Sequence, residues 1–178
     1  MRTPCLILFL ALLGACGEEI GDSCITDTDC ATDGSRQCDV NSSGGYCTMI
    51  GCDYNTCPGE AECVSFYSGT FENEPCSTAA DCSLDEVCTI DGFCSPRSSE
   101  VRYCMKKCGD NGDCRDDYEC RAFDEQVRDG GQVVLDPTTY SDFGASGSDG
   151  NPLPTKQQAE MEASGFCAPA PASSGNDS

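Results

Sequence analysis

Cysteine is the residue that most constrains what this chain can fold into. The 178-residue sequence contains 18 cysteines, and a proportion of roughly one in ten is typical of small domains held together by disulfides. Leucines are scarce, because only Leu84, Leu135 and Leu153 follow residue 16. Burying one such side chain contributes about 1.5–3 kcal/mol, whereas ordering each residue costs about 1–2 kcal/mol. We therefore expect a small disulfide-rich fold whose stability depends on covalent bridges.

The most regular stretch, residues 76–94, contains four cysteines separated by equal gaps of five residues. Asp81 precedes its second cysteine, and Gly92 and Phe93 precede its fourth. Two further stretches repeat this frame, and such internal repetition predicts tandem cysteine-stapled modules. The copies contain Cys24, Cys30, Cys38 and Cys47; Cys76, Cys82, Cys88 and Cys94; and Cys108, Cys114, Cys120 and Cys167.

A fourth group of cysteines departs from the frame and comprises Cys52, Cys57, Cys63 and Cys104. It resembles a degraded block, because residues 57–66 parallel residues 114–123 and an aromatic residue precedes Cys104. Its last bridge would then cross the 76–94 module and join the modules into one unit. Four cysteines allow three pairings, and we expect first to third and second to fourth. Each bridge closing about 12–15 residues would contribute roughly 3 kcal/mol.

The residues beside the cysteines predict local structure. Glycine before the aromatic residue permits a positive φ in a tight turn. Aspartate before the second cysteine suits an Asx-turn, in which the carboxylate accepts from backbone amides two residues further on. Alternating stretches such as residues 45–50 indicate strands of two to four residues in minimal hairpins. We expect these short β-hairpins and little helix outside the signal peptide.

The N-terminus has the features of an export signal. An apolar run over residues 5–13 follows Arg2 and is too short to span a bilayer, which predicts a signal peptide over residues 1–15. The sequence Leu13-Gly14-Ala15-Cys16 resembles the lipobox of bacterial lipoproteins. That resemblance implies cleavage before Cys16, lipid attachment to Cys16, and, because Gly17 follows, an outer-membrane location. The alternative is ordinary signal cleavage, which would release a secreted protein.

Removal of Cys5 and lipidation of Cys16 leave sixteen cysteines, an even number that allows eight disulfides. Cysteines at this density persist as disulfides in an oxidising compartment outside the cytoplasm. Residues 16–23 are predicted to form a lipidated tether without structure. Residues 24–123 with Cys167 resemble tandem EGF-like or EB-module repeats, as found in surface lipoproteins of myxobacteria and related Gram-negative bacteria.

The last third of the chain contains an insertion and a tail. Residues 124–166 form a partly disordered insertion that Cys167 closes. Within it we predict one strand that ends at Pro137, a mobile stretch over residues 140–154, and two helical turns over residues 156–163. The tail, residues 168–178, is predicted to be disordered.

Charge and residue types exclude several functions. The net charge of −21 disfavours nucleic acid and bare anionic lipid as partners. The chain has no histidine and no motif for a nucleophile or a phosphate-binding loop, so we expect no enzyme activity and no catalytic residue. Oxidised cysteines without zinc-site spacing disfavour zinc, so we expect no metal site and no cofactor besides the lipid on Cys16.

Two charged groups remain as candidates. Calcium could bind at Asp27, Asp29 and Asp33 or at residues 110–113, although solvated acidic loops are the favoured interpretation. The basic residues Arg97, Arg102, Lys106 and Lys107 could contact an anionic partner, although a charge-balanced surface is favoured.

The favoured function is a lipid-anchored cell-envelope protein that acts as a non-catalytic binding or structural module. Its partners would be the membrane, through the anchor, and an unknown envelope or extracellular protein. The first alternative is a secreted protease inhibitor that uses residues 140–155 as its exposed loop. The second is a calcium-dependent adhesion module.

Overall fold

The computed structural model describes residues 18–67, 74–89, 92–122, 131–141 and 145–170. The predicted signal peptide, Cys16 and the tail from residue 171 lie outside the described residues. The described ranges contain eight disulfides, mostly antiparallel strands and little helix. The predicted small disulfide-rich fold class is confirmed.

The largest element is a five-stranded antiparallel sheet with the strand order β7-β9-β6-β3-β8. Its central pair is a long ladder in which Ala61 lies opposite Lys106 at one end and Tyr67 lies opposite Glu100 at the other. The strands are β3 (Ala61–Tyr67), β6 (Glu100–Cys108), β7 (Tyr118–Arg121), β8 (Gly131–Val133) and β9 (Gly165–Pro169).

Two small hairpins accompany the sheet. Strand β1 (Gln37–Cys38) pairs with β2 (Cys47–Thr48), and β4 (Glu86–Cys88) pairs with β5 (Cys94–Pro96). These hairpins have the predicted minimal length. The predicted length of two to four residues was wrong for β3 and β6, which contain 7 and 9 residues. These two strands pair with each other across residues 68–99, so no short-range alternation indicates the pairing.

The helices are short. Helix α1 spans Asp27–Cys30 and α2 spans Lys156–Glu162, which confirms the two turns predicted in the insertion. The Thr155 hydroxyl accepts from the Gln158 amide, and the Gln158 side chain accepts from the Thr155 amide, forming a capping box. In the described ranges neither helix is long and apolar enough to cross a membrane.

The insertion is more regular than its composition indicates. Strand β8 confirms the strand predicted before Pro137. In the stretch predicted to be mobile, Leu153 donates its amide to Ala145 and Gly147 donates to Asn151, so residues 145–154 form a small hairpin. Their mobility stays a prediction.

The N-terminal residues are packed into the fold. The Ile20 side chain is fully buried. The Gly21 amide donates to the Cys47 carbonyl at 2.9 Å, and the Cys47 amide donates to the Asp22 carbonyl at 2.9 Å. The expectation of an unstructured tether over residues 16–23 is therefore wrong from residue 18 onward. Polar, glycine-containing composition suggested a linker, but pairing with β2 and burial of one isoleucine order the segment.

The end of the chain also departs from its prediction. Strand β9 continues past Cys167 to Pro169, and the Ala170 amide donates to the Asp117 carbonyl at 2.9 Å. Disorder beginning at residue 168 is therefore wrong for residues 168–170. Pairing with β7 extends beyond the last cysteine because Tyr118 lies opposite Pro169.

Candidate functional site

Four crossed pairs of disulfides organise the chain, and we number these modules I to IV by their first cysteine. In each module the first cysteine bonds the third and the second bonds the fourth, which is the predicted pairing. The bridges are Cys24–Cys38 and Cys30–Cys47 in module I, Cys52–Cys63 and Cys57–Cys104 in module II, Cys76–Cys88 and Cys82–Cys94 in module III, and Cys108–Cys120 and Cys114–Cys167 in module IV.

The third and fourth cysteines of every module lie directly opposite each other in an antiparallel pair of strands. Side chains at such positions are neighbours on one face of the pair, so both sulfurs can reach the preceding loop. The opposed pairs are Cys38 and Cys47, Cys63 and Cys104, Cys88 and Cys94, and Cys120 and Cys167. Each module is therefore a two-stranded pair bonded to the loop that precedes it.

The aspartate before the second cysteine closes that loop in modules I, III and IV. The Asx-turn expectation was wrong, because the carboxylate accepts from amides three and four residues back in the chain. The segment forms one helical turn, and an acidic residue at its third position reaches back to the first amides. The bonds run from Ile25 and Thr26 to Asp29, from Ser77 and Thr78 to Asp81, and from Gly109 and Asp110 to Asp113, at 2.7–3.3 Å.

These bonds favour the charged carboxylate. The backbone amides of Ile25 and Thr26 lower the pKa of Asp29 below its ordinary value, and the equivalent amides lower the pKa of Asp81 and Asp113. The repeated aspartate is thus a structural group of the module.

In module II a threonine takes the place of the aspartate that closes the loop. Thr56 precedes its second cysteine, and the Thr56 hydroxyl accepts from the Asp53 amide at 2.8 Å. Asp53 follows Cys52 directly, so the accepting group again bonds the start of the loop. The degraded block is therefore a fourth copy of the same module.

The glycine before the aromatic residue has two different roles. Gly45 and Gly92 have φ values of 70° and 80°, as predicted. A Cβ atom at Gly45 would lie 1.9 Å from the carbonyl oxygen of Cys24. Gly165 lies in β9, where a Cβ atom would lie 2.7 Å from the sulfur of Cys120. This third glycine is required by close approach of a disulfide.

Module III is inserted into the hairpin of module II. Strand β3 ends at Tyr67 and β6 begins at Glu100, so residues 68–99 connect two directly paired strands. The bridge from Cys57 to Cys104 encloses the whole of module III, as predicted. The two buried clusters of described residues contain no member from residues 74–96, and Leu84 is fully exposed.

Modules I and IV dock through two stacked tyrosines and an arginine that contacts both rings. The Tyr46 and Tyr118 rings stack at 5.4 Å, and the Arg115 guanidinium lies 4.1 Å from the centre of the Tyr118 ring. Arg115 also donates to the carbonyls of Ser43, at 2.6 Å, and Gly45. Sequence reasoning missed this contact, because nothing in the cysteine frame distinguishes Arg115 from other surface arginines.

Tyr46 also joins module I to the central sheet. Its hydroxyl accepts from the Lys106 amide at 2.9 Å and donates to the Cys167 carbonyl at 3.4 Å. Burial raises the pKa of Tyr46. Modules I, II and IV therefore share one core.

The candidate calcium loops turn their oxygens toward the backbone. Asp27 accepts from the Cys38 amide at 2.8 Å, Asp33 accepts from Ser35, and Asp110 accepts from the Gly112 amide at 2.7 Å. In the part of the chain that the structure describes, none of these aspartates belongs to a group of three ligand atoms within 4.8 Å. The loop carboxylates stabilise the loops themselves.

Two of the four candidate basic residues are paired with acidic side chains. Arg102 pairs with Asp53 at 3.0 Å and with Glu100 at 2.7 Å. Lys107 pairs with Glu62 at 3.5 Å. Arg97 is exposed on a 3-10 turn, Arg97–Ser99, between module III and β6. The structure thus favours a charge-balanced surface.

Several grooves in the described part of the chain border the disulfides of modules II and IV. One of about 420 Å³ lies beside Cys52, and two others differ in size. The smaller, of about 290 Å³, lies between Cys57 and Leu135, and the larger, of about 710 Å³, lies between Lys106 and Gly165. Comparison with models of protein families, with curated proteins and with solved structures finds no match for this chain. Any function must therefore be inferred from the modules and their contacts.

Proposed function

We propose that this chain is exported, anchored to the outer membrane by a lipid on Cys16, and acts as a non-catalytic binding or structural module of the cell envelope. The observation that carries the proposal is a lipobox, Leu13-Gly14-Ala15-Cys16, ahead of a domain whose sixteen cysteines are all paired. Complete pairing fits an oxidising compartment. Anchoring at Cys16 fits a chain that is already packed into the fold at Ile20.

The module architecture supports a role in presenting loops. The four-cysteine blocks resemble EGF-like and EB-module repeats of bacterial surface lipoproteins. Each block holds a constant pair of bridges, while the connection between its third and fourth cysteines varies from residues 89–93 to residues 121–166. Variable connections on a rigid scaffold are where binding residues are usually found. The favoured partner is an envelope or extracellular protein.

The anchor is tested by labelling with palmitate in the native host. The wild-type protein should incorporate label and fractionate with the outer membrane. Cys16→Ser should lose both properties. Cys5→Ser is the matched control, because Cys5 lies inside the predicted signal peptide, and it should label like the wild type. An unlabelled wild-type protein, or a Cys16→Ser variant that keeps its label and location, contradicts the proposal.

Binding is tested by cross-linking the folded, lipidated protein in intact cells. A specific envelope partner should be captured by the wild type and lost after Cys57→Ser and Cys104→Ser, which open the connection around module III. A set of captured proteins that is the same for wild type and variant contradicts a role for the folded modules.

One observation favours the protease-inhibitor alternative. The exposed hairpin over residues 145–154 is closed by hydrogen bonds from Leu153 to Ala145 and from Gly147 to Asn151, at 3.0 and 2.8 Å. A closed loop of this kind can enter a protease cleft with little loss of entropy. Titration against serine and cysteine proteases tests it, and cleavage of the hairpin without inhibition contradicts it.

A further inference from the structure

We infer that the end of the central sheet around Lys106 lies against the bilayer and that module III forms the membrane-distal head of the protein. This inference rests on the proposed lipid anchor at Cys16. It adds an orientation, because the point where the chain enters the fold and the point where module III leaves it lie at opposite ends of the same strand pair.

The chain enters the fold beside Lys106. Ile20 is fully buried, and Gly21 packs so closely on β6 that a Cβ atom there would lie 2.9 Å from the Cβ of Lys106. Lys106 lies opposite Ala61 near the end of the β3–β6 ladder. The N-terminal segment is therefore fixed to that end of the sheet.

A second contact places Glu18 at the same end. Arg36 donates to the Glu18 carbonyl and pairs with the Glu60 carboxylate at 3.3 Å. The Glu60 carbonyl accepts from the Lys107 amide at 2.9 Å. Glu60 directly precedes β3, so this chain of contacts reaches the Ala61 end of the ladder independently of Gly21.

Little chain separates this end from the proposed lipid. Cys16 and Ile20 are four residues apart, and four extended residues span at most about 14 Å. Because Ile20 and Gly21 are held in the fold, the domain cannot swing on a long tether. The Lys106 end of the sheet must stay within about that distance of the bilayer surface.

Module III leaves the sheet at the other end. Tyr67 and Glu100 are the last opposed pair of the ladder, and module III lies between them in sequence. Lys106 lies six positions after Glu100, which corresponds to about 20 Å along a strand. The Cys57–Cys104 bridge and the Cys52–Cys63 bridge hold this strand pair. The ladder thus acts as a stiff spacer that points module III away from the membrane.

The chain contains no tryptophan, so a single introduced tryptophan is a probe without background. Gly59 marks the Lys106 end, since it is exposed and a Cβ atom there meets nothing within 4 Å. Leu84 marks module III and is fully exposed. Neither Gly59→Trp nor Leu84→Trp should disturb folding, which absence of titratable thiols in each purified variant verifies.

The lipidated full-length variants are inserted from detergent into the outer leaflet of preformed phosphatidylcholine vesicles that contain a dansyl-labelled headgroup lipid. Energy transfer from tryptophan to dansyl is then measured on floated vesicles. We expect transfer to be several-fold more efficient for Gly59→Trp than for Leu84→Trp. The same variants with Cys16→Ser provide the background signal.

The outcomes separate the two proposals. Protein that floats and shows equal or reversed transfer overturns the head assignment and leaves the anchor standing. Protein that carries no lipid and does not float overturns the anchor, and the orientation fails with it. Protein that floats and shows the expected order supports both.

Discussion

Cys63 lies directly opposite Cys104 in the β3–β6 ladder, yet each is bonded to a different cysteine. Cys63 bonds Cys52, and Cys104 bonds Cys57 across a separation of 47 residues. The crossed arrangement joins both strands to the loop in front of them. It also places an entire module inside one covalent ring.

The long bridge should contribute more stability than the short one beside it. In the chain-entropy treatment, losing a bridge that closes 47 residues costs about 4 kcal/mol, and losing one that closes 11 costs about 3 kcal/mol. We therefore expect the double variant Cys57→Ser with Cys104→Ser to lose more free energy of unfolding than the double variant Cys52→Ser with Cys63→Ser. Guanidinium unfolding measures the difference. The expectation is contradicted if the variant without the Cys57–Cys104 bridge is more stable than the variant without the Cys52–Cys63 bridge.

Because Ile20 is buried, shortening its side chain should lower the stability of the fold measurably. Ile20 is fully buried, whereas Ile25 is 84% exposed five residues later. We expect Ile20→Ala to lower the free energy of unfolding by about 2–5 kcal/mol. The matched control, Ile25→Ala, should change it by less than about 0.5 kcal/mol. Equal effects would show that the segment after Cys16 is a tether after all.

Arg115 should hold modules I and IV together. Arg115→Ala removes the contact with the Tyr118 ring and the hydrogen bonds to Ser43 and Gly45. We therefore expect the free energy of unfolding to fall by about 1–2 kcal/mol. Arg115→Lys should recover part of it, because the charge remains but the planar fork is lost. Arg97→Ala, at an exposed arginine, should leave unfolding nearly unchanged. A loss as large for Arg97→Ala as for Arg115→Ala refutes the docking role.

The repeated aspartates should make stability depend on pH. Backbone bonds from Gly109 and Asp110 lower the pKa of Asp113 in the folded state, while an unfolded aspartate titrates near about 3.9. The stabilisation is therefore present above the unfolded pKa and is lost as pH falls through the folded one. Asp113→Asn should be less stable than wild type at pH 7, and the two should converge in acid.

Thermal unfolding over a series of pH values measures this effect. Asp116→Asn is the control, since Asp116 is an exposed neighbour in the same module. Its unfolding curve should follow that of the wild type at every pH. A gap between Asp113→Asn and wild type that stays constant into strong acid would contradict the assignment.

The sequence predicted the covalent framework because the frame is local. Cysteine spacing, the aspartate before the second cysteine and the glycine and aromatic residue before the fourth identified three modules. The parallel between residues 57–66 and 114–123 identified the other module. It also led to the correct expectation that the last bridge of module II crosses module III. Each of these features can be found by comparing one cysteine block with the other blocks of the same chain.

The contacts between blocks could not be predicted in the same way. The β3–β6 ladder joins strands on either side of module III, so no alternation within one stretch indicates the register. Ile20 stands alone in a polar segment, and only its pocket in the folded sheet explains its burial. The sequence identified the aspartates as turn residues. Their carboxylates accept from amides that precede them because the segment forms a helical turn, which the four residues between the first cysteine and the aspartate do not predict.

Mapping the disulfides of the unreduced protein by peptide mass spectrometry tests the four crossed modules most directly. Trypsin cuts after Arg102 and Lys106 and isolates Cys104, but residues 37–96 contain no lysine or arginine. Digestion with Asp-N and Glu-C is therefore added, because cleavage before Asp53 and after Glu60 separates Cys52, Cys57 and Cys63. We expect a peptide containing Cys57 bonded to Cys104, a second pairing Cys52 with Cys63, and no free thiol among the sixteen cysteines. A Cys63–Cys104 bridge, or any bridge between module III and another module, would contradict it.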